Sequence, residues 1–320
     1  MSVVTREPVA AARPEPAARQ RRRRRGDVAS KTVSYAILIV GAVVCIAPFA
    51  WMVVASLQPI GEMFSWPPHW IPRHATLDNY RNFLNPPSAG NVDLVKPQPL
   101  RWFLNSAFVA VSVTALQLFF NSLAAYAFAK RRFPGRDAFF LITLGTLMIP
   151  GAINLVPQYM VLRHIPLFGG NDIWGNGGHG WLDSYWALIV PGAVSSFGIF
   201  LLRQYMRSIP DDLLDAARID GAGEFRIFWR IVLPLTRPAL AALGIFTFSY
   251  VWDDFTWPLI VVNSADLDTM PLGLAMFVVQ NRTAWDYVFA GSVITTIPVI
   301  IMFLLFQRHF VKGIAITGMK

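Results

Sequence analysis

Six stretches of this chain are apolar at nearly every position for close to twenty residues or more: 33–56, 103–129, 138–162, 185–202, 239–262 and 287–306. A helix rises about 1.5 Å per residue, so about 20 apolar residues cross a hydrocarbon layer roughly 30 Å thick. Each stretch therefore predicts one membrane-spanning helix, and together they predict an all-α polytopic membrane protein. Five connectors and two tails remain, alternating sides if every stretch crosses. One connector, 208–234, breaks the pattern: it is charged, spaces its apolar residues as a helix does and is interrupted by glycine.

Composition supports the membrane reading. Of 320 residues, 54% are apolar and 15% charged, with a mean hydropathy of +0.45, whereas soluble domains carry about 25% charged residues. The net charge of +9 does not indicate a nucleic-acid partner, because the cations flank apolar runs instead of gathering on one polar face. They orient the chain: 22 Lys and Arg fall in 1–31, 130–136, 203–237 and beyond 307, against 6 in 57–101, 163–184 and 263–286. By the positive-inside rule both termini and the 208–234 insert lie in the cytoplasm of a cell-membrane protein. The lone Cys45 supplies neither a disulfide framework nor a thiolate metal site.

Residues 1–30, with Pro8, Pro14, Pro16 and the run Arg21 to Arg25, are too polar to bury a core and are expected to be a disordered basic tail. The apolar run after them is too long for a signal-peptide h-region and reads as an uncleaved first helix. Residues 57–101 are expected to cap the outer surface. The stretch 175–180, GNGGHG, satisfies G-x-G-x-x-G but lies between two membrane spans, without the strand and helix that a dinucleotide site requires, and reads as a flexible outer loop.

Within the insert, Ser208 is placed to cap a helix, with Asp211 three residues on and Pro210 in the first turn, where no amide is needed. Leu213, Leu214, Ala217 and Arg218 continue it, and Asp220-Gly221 ends it, glycine alone entering the left-handed conformation without steric cost. Glu224 to Leu233 forms a second amphipathic segment, with Phe225, Phe228, Ile231 and Val232 on one side and Arg226 and Arg230 on the other, before Pro234 and Pro238 break it. Two short helices at a glycine elbow expose an apolar face too small for a core of its own, so that face is expected to dock on a partner. Lipid anchoring is the alternative; Asp211, Asp212, Asp215 and Asp220 against Arg218 make the first helix acidic, which anionic lipid repels.

The stretch DAARIDGAGEFRIFWRIVLPLTRPA resembles the EAA signature of ABC importer permeases at Ala216, Ala217, Asp220, Gly221, Ala222, Phe228, Ile231, Leu233, Pro234 and Pro238, with Asp215 for the usual Glu. NSLAAYAFAKRRFPGR (121–136), MIPGAINLVPQY (148–159), FGIFLLRQYMRSIPDDLLDAA (197–217) and WDDFTWPL (252–259) resemble the carbohydrate-uptake, maltose-type branch, with Asp253 where Asn is usual and a longer glycine-rich connector at 169–181. The resemblance implies a permease subunit that works with a second, related permease, a cytoplasmic ATPase dimer and an external solute-binding protein. It places Asp215, Ala216, Ala217, Asp220, Gly221 and Ala222 at the ATPase contact. No Gly-Lys dipeptide, the end of a phosphate-binding P-loop, occurs in the chain, so ATP is expected to be bound by a partner.

Asp253 and Asp254 fall inside the fifth apolar run, roughly 24 Å from Arg237 at 1.5 Å per residue. Carboxylates at that depth face a water-filled cavity or a paired cation. With Trp252, Phe255 and Trp257 they are the candidate substrate pathway, although tryptophans there also suit an interfacial belt. Asn105, Gln117 and Asn121 fall along one stripe of the second run, as pathway groups or as hydrogen bonds between helices or subunits. Neighbouring carboxylates on a helix point about 100° apart, unlike a hydrolytic pair, and His69 and His74 lack the further ligands that a zinc site needs. No enzyme activity and no cofactor is expected. The expected function is ATP-driven import of a sugar or oligosaccharide by alternating access. The alternatives are another solute, such as a polyamine or glycerol phosphate, through the same machinery, and a self-powered secondary transporter.

Overall fold

The computed structural model describes residues 17–85, 98–279 and 282–317. The chain divides into two units, Met1–Val54 and Ala55–Lys320. The described part of the first unit belongs to α1 (Ala17–Ser56), which runs two residues into the second. Of the expected disordered tail, residues 1–16 lie outside the described residues, while 17–30 are helical: Ala, Gln and Arg, which fill much of this stretch, are all strong helix formers. From Lys31 to Ser56 this helix is long and apolar enough to cross a membrane, and none of its apolar window is buried within the protein. Val40 and Val44 are about two-thirds exposed, an arrangement that suits lipid and not water.

The second unit opens with α2 (Ile60–Met63) and α3 (Asp78–Leu84), followed by α4 (Pro99–Lys130), α5 (Arg136–Gly145), α6 (Gly151–Arg163), α7 (Tyr185–Ile189) and α8 (Ser196–Arg207). The insert contributes α9 (Asp211–Ile219), α10 (Glu224–Ile227) and α11 (Leu233–Leu235), the last two joined by a π-helical turn at 228–232. Then come α12 (Arg237–Trp252), α13 (Thr256–Val261), α14 (Met270–Ala275), the two-residue antiparallel pair β1 (Val278–Val279) and β2 (Arg282–Thr283), and α15 (Trp285–Thr317). Lys31–Ser56, Pro99–Lys130, Tyr185–Arg207 and Trp285–Gln307 are each long and apolar enough to span. Counting each of two bent helix pairs as one span raises the number to six.

Two expected continuous spans are interrupted. The run 138–162 folds as α5 and α6 with 105° between them. Ile149 takes an extended backbone (φ −85°, ψ 115°), the conformation forced on a residue that precedes proline, here Pro150. The run 239–262 stops at Trp252 and resumes at Thr256. Pro258 explains the interruption: it has no amide to donate, and its ring would strike the carbonyl of Asp254 four residues back. The Asp254 carboxylate accepts the Thr256 and Trp257 amides instead, at 3.0 and 3.2 Å.

Helix α4 is the central element. It has no glycine and no proline after Pro99, and it packs against α8 and α12. The α8 crossing is close because position 198 is glycine: a Cβ there would lie 2.2 Å from Asn121 Nδ2. Toward the insert, Ala125, Tyr126, Leu202, Met206, Leu214, Ile227, Phe228 and Val232 form one buried cluster. Toward the far end, Val109, Val113, Leu162, Leu182, Leu188 and Val261 form another, and Phe83 of the 57–101 cap is fully buried with Trp102, Met270 and Ala290.

The glycine-rich connector is built as a compact knot and not as a flexible loop. Asn171 donates to the Arg163 and Ile165 carbonyls and accepts from the Gly178 amide, all at 2.8–2.9 Å. A Cβ at Gly178 would lie 2.1 Å from the Gly169 carbonyl oxygen, so glycine is required here for close backbone approach. Beside this knot, Asp183 accepts from the Asn263 and Ser264 amides at 3.0 and 2.9 Å and from the Ser264 hydroxyl, clasping the 263–269 segment. Within that segment Asp268 is 5% exposed, and its Oδ2 has no partner among the described residues. Burial first, and the Asp183 charge second, push its carboxyl up from 3.8 to about 6. The folded chain therefore keeps a proton there that the unfolded chain releases between about pH 4 and pH 6, so this contribution to stability is present in acid and is lost as pH rises through about 6. Thermal unfolding of the purified protein at pH 5 and pH 8 checks this: Asp268→Asn is expected to raise the melting temperature at pH 8 and to raise it by less at pH 5, midway through that window.

Candidate functional site

The insert is held by one face and open on the other. Leu214 of α9 and Ile227, Phe228 and Val232 of the second segment are buried against α4, α8 and α12, each side chain removing apolar surface from water at about 1.5–3 kcal/mol. The apolar face expected to await a partner is thus largely satisfied within the chain. Exposed on the other side are Leu213 (45%), Ile219 (87%) and Phe225 (72%), with Asp215, Ala216, Asp220 and Gly221 among them.

The elbow follows from the backbone. Gly221 has φ +78°, and a Cβ there would meet nothing within 4 Å, so dihedral preference alone demands glycine. Its amide donates to the Arg218 carbonyl at 3.0 Å and the Ala222 amide donates to the Ala217 carbonyl at 2.9 Å, the paired bonds that close a helix through a left-handed residue. The start of α9 differs from expectation. Ser208 does not cap it; the hydroxyl donates back to the Tyr205 carbonyl at 2.7 Å, because Pro210 moves the first helical residue on to Asp211. No side chain caps α9; its start is tied to α4 by Lys130 Nζ, which donates to the Ile209 carbonyl at 2.5 Å and to Asp211 Oδ1 at 2.7 Å. That hydrogen bond, and then the Lys130 charge, hold the Asp211 carboxyl below its usual range.

Arg218, on α9, donates to Asp215 at 2.5 Å and to Glu224 at 3.0 Å. Glu224 also accepts the Tyr126 hydroxyl at 2.6 Å, in the last turns of α4, and pairs with Arg131 just past its end. Burial works to raise the Glu224 carboxyl, but the Tyr126 and Arg218 hydrogen bonds and the arginine charges outweigh it and hold it lowered and ionised. Tyr126, Lys130, Arg131 and Glu224 escape a reading of the sequence, because Tyr126 and Glu224 are 98 positions apart. Only the position of Lys130 and Arg131 at the end of an apolar run hints at them.

The second feature is a cavity of about 860 Å³ between α6, the segment before α8 and the α12–α13 break. Asp253, Asp254 and Trp257 line it together with Asn154, Gln158, Gly192 and Tyr250. Trp257 is held by its indole N–H on the Ala187 carbonyl at 2.9 Å. Trp252 points elsewhere: it is 1% exposed, stacks on Phe248 and donates to the Thr295 carbonyl at 2.9 Å. Asn121 is fully buried and does not line the cavity; its amide oxygen accepts the Ser195 amide at 3.1 Å, while Gln117 donates to the Gly192 carbonyl at 2.8 Å and accepts from Thr247 at 3.1 Å. Asn105, 4% exposed, donates to the Asp266 and Asp268 carbonyls. The polar stripe of α4 therefore joins elements within the chain. Asn154 and Gln158, missed earlier, stand four residues apart on α6, a spacing that puts both on one helix face.

Comparison with known proteins agrees with this arrangement. Residues 117–316 match the family of binding-protein-dependent transport system inner membrane components. The arabinooligosaccharides transport system permease protein AraQ of Halalkalibacterium halodurans is 34% identical over 291 residues, covering 90% of this chain and 95% of its own. The sn-glycerol-3-phosphate transport system permease protein UgpE of Yersinia pestis is 34% identical over 280 residues, covering 87% and 93%. Among solved structures, a chain of a bacterial ABC transporter for import of the acidic polysaccharide alginate superposes with a TM-score of 0.73 at 22% identity, covering 89% of this chain and 98% of that one, a likeness of fold. A match over more than half the chain, relatives of this identity along nearly its whole length and the shared fold lead to one conclusion: this chain belongs to the family of binding-protein-dependent transport system inner membrane components, the multi-pass membrane permeases.

Proposed function

We propose that this chain is the permease subunit of an ATP-driven importer of a sugar or oligosaccharide, that both its termini face the cytoplasm, and that it performs no covalent chemistry. The observation that carries this reading is the two-faced insert, one side packed on three long helices and the other presenting Ala216, Ile219, Asp220 and Phe225 outward. A capped elbow with a buried face transmits displacement, and its open face is the seat for a cytoplasmic ATPase dimer. An external solute-binding protein and a second, related permease complete the assembly. The solved alginate transporter whose periplasmic protein holds an alginate pentasaccharide supports the external partner.

Cavity chemistry favours a hydroxylated solute. The volume of about 860 Å³ lies within the range of small-molecule sites, roughly 300–1,000 Å³. Tyr250, Phe255 and Trp257 supply aromatic faces, while Asn154, Gln158 and Asp253 supply donors and acceptors. Glycerol phosphate is the second reading, favoured by the UgpE relatives; two carboxylates, and no Lys or Arg among the described lining residues, oppose an anionic solute. Proteoliposomes carrying the whole complex, supplied with ATP inside and with labelled arabinooligosaccharide or glycerol phosphate outside, test this. ATP-dependent accumulation of the sugar by the complex, and none by this chain alone, is expected. Accumulation by the chain alone would overturn the reading.

A further inference from the structure

Glu224 begins α10, accepts from Arg218 of α9, and binds Tyr126 of α4 and Arg131 just past its end, so one carboxylate meets both helices of the insert and the end of the central helix α4. A second tie lies beside it: Lys130, its side chain 3% exposed, holds the first turn of α9 through Asp211. From Tyr126, α4 runs without a break to Val113, thirteen residues or roughly 20 Å away at 1.5 Å per residue. Val113 lines the cavity, as does Gly192, whose carbonyl is gripped by Gln117 on the same helix. The two covalent routes from the insert to the cavity are each interrupted: non-helical residues 193–195 separate α8 from the cavity-lining Gly192, and a 76° bend separates the insert from α12. A hinged route absorbs displacement that a continuous helix passes on.

We propose that Glu224 is a positioning residue that locks both helices of the coupling insert to α4, making α4 the rod through which movement of the insert reaches the cavity. The proposal rests on the reading of this chain as an ATPase-driven permease and adds the route by which the drive arrives. The Arg218–Glu224 bond keeps the elbow from flexing, and the Tyr126 and Arg131 contacts carry its motion into α4. Tyr126 also packs its ring on Phe228, with centroids 5.3 Å apart, so Tyr126→Phe removes the hydroxyl and keeps the packing.

The test uses the complete complex in proteoliposomes and reads two quantities at once, solute accumulated and ATP hydrolysed, for wild type, Glu224→Ala, Tyr126→Phe and the double variant. Solute moved per ATP is expected to fall about tenfold or more in Glu224→Ala, the factor that one charge-assisted hydrogen bond represents, and less in Tyr126→Phe. The double variant is expected to match Glu224→Ala, because both act on one link. A purely structural role lowers the amount of assembled complex and leaves solute per ATP at the wild-type value, and that result overturns the proposal. Should Glu224→Ala fail to assemble, the ratio measured for Tyr126→Phe decides. If the wild-type complex shows no ATP-driven uptake, the functional reading fails first, which separates the two claims.

Discussion

Gly221→Pro is expected to abolish ATP-driven uptake while leaving the amount of inserted protein close to wild type. Proline fixes φ near −65°, whereas position 221 sits at +78°, so the elbow cannot form around it. Proline also removes the amide that donates to the Arg218 carbonyl at 3.0 Å, freeing the end of α9 beside the Arg218–Glu224 contact. Nothing lies within 4 Å of a Cβ at this position, so the defect is one of backbone direction and not of packing. A graded series follows. Asn, the residue next most at ease in the left-handed region, is expected to keep most activity; Ala, which carries a penalty of roughly 1–2 kcal/mol there, is expected to keep less. Initial uptake rates at matched amounts of complex, ranked Gly, Asn, Ala, Pro, check this, and equal rates for Gly and Pro would exclude the elbow as the coupling element.

Gly198→Ala is expected to have the second largest effect, through stability. A methyl at 198 would lie 2.2 Å from Asn121 Nδ2, 3.0 Å from Asn121 Cγ and 3.2 Å from Leu243 Cδ1. Asn121 is fully buried and its oxygen accepts the Ser195 amide, so it has no vacant space to move into without leaving that bond. Overpacking of this kind costs about 1–3 kcal/mol, and a buried amide left without its partner adds about 1–3 kcal/mol. A lower melting temperature of the purified complex and reduced uptake are expected together, and Asn121→Ser in the same chain should recover part of both by making room. A melting temperature equal to wild type would mean that α4 and α8 separate freely at this crossing.

Much of this architecture is legible in the sequence, because hydropathy reports which segments leave water. The six apolar runs, the charged insert and the glycine elbow at 221 all follow from transfer energetics and backbone preference. Direction inside an apolar run does not follow. Pro150 and Pro258 mark the interruptions of the third and fifth runs, yet a proline in a membrane helix kinks it slightly or turns it by 105° according to what its neighbours satisfy. Trp252 and Trp257 look alike in the string WDDFTWPL, but the break between them turns one into a buried stack and the other toward the cavity. The resemblance points to Asp215, Ala216, Ala217, Asp220, Gly221 and Ala222 without showing which face stays open, and Ala217 and Ala222 pack partly against the buried cluster. The open face is settled by Leu214 packing into the cluster of Met206 and Phe228. Hydrogen bonds between distant positions, Tyr126 with Glu224 and Lys130 with Asp211, have no local signal that pairs them.

The central claim is that the open face of the insert seats on a nucleotide-hydrolysing partner. Ala216→Cys, exposed on that face, in a Cys45→Ser background and joined to a short thiol-reactive crosslinker in membranes of cells expressing the complete complex, measures it directly. Capture of the ATPase at Ala216→Cys, with a yield that changes on adding ATP, is the predicted result, together with no capture at Ala125→Cys, which is fully buried. Failure to capture a nucleotide-hydrolysing protein at Ala216→Cys, in membranes that still import the solute, would contradict it.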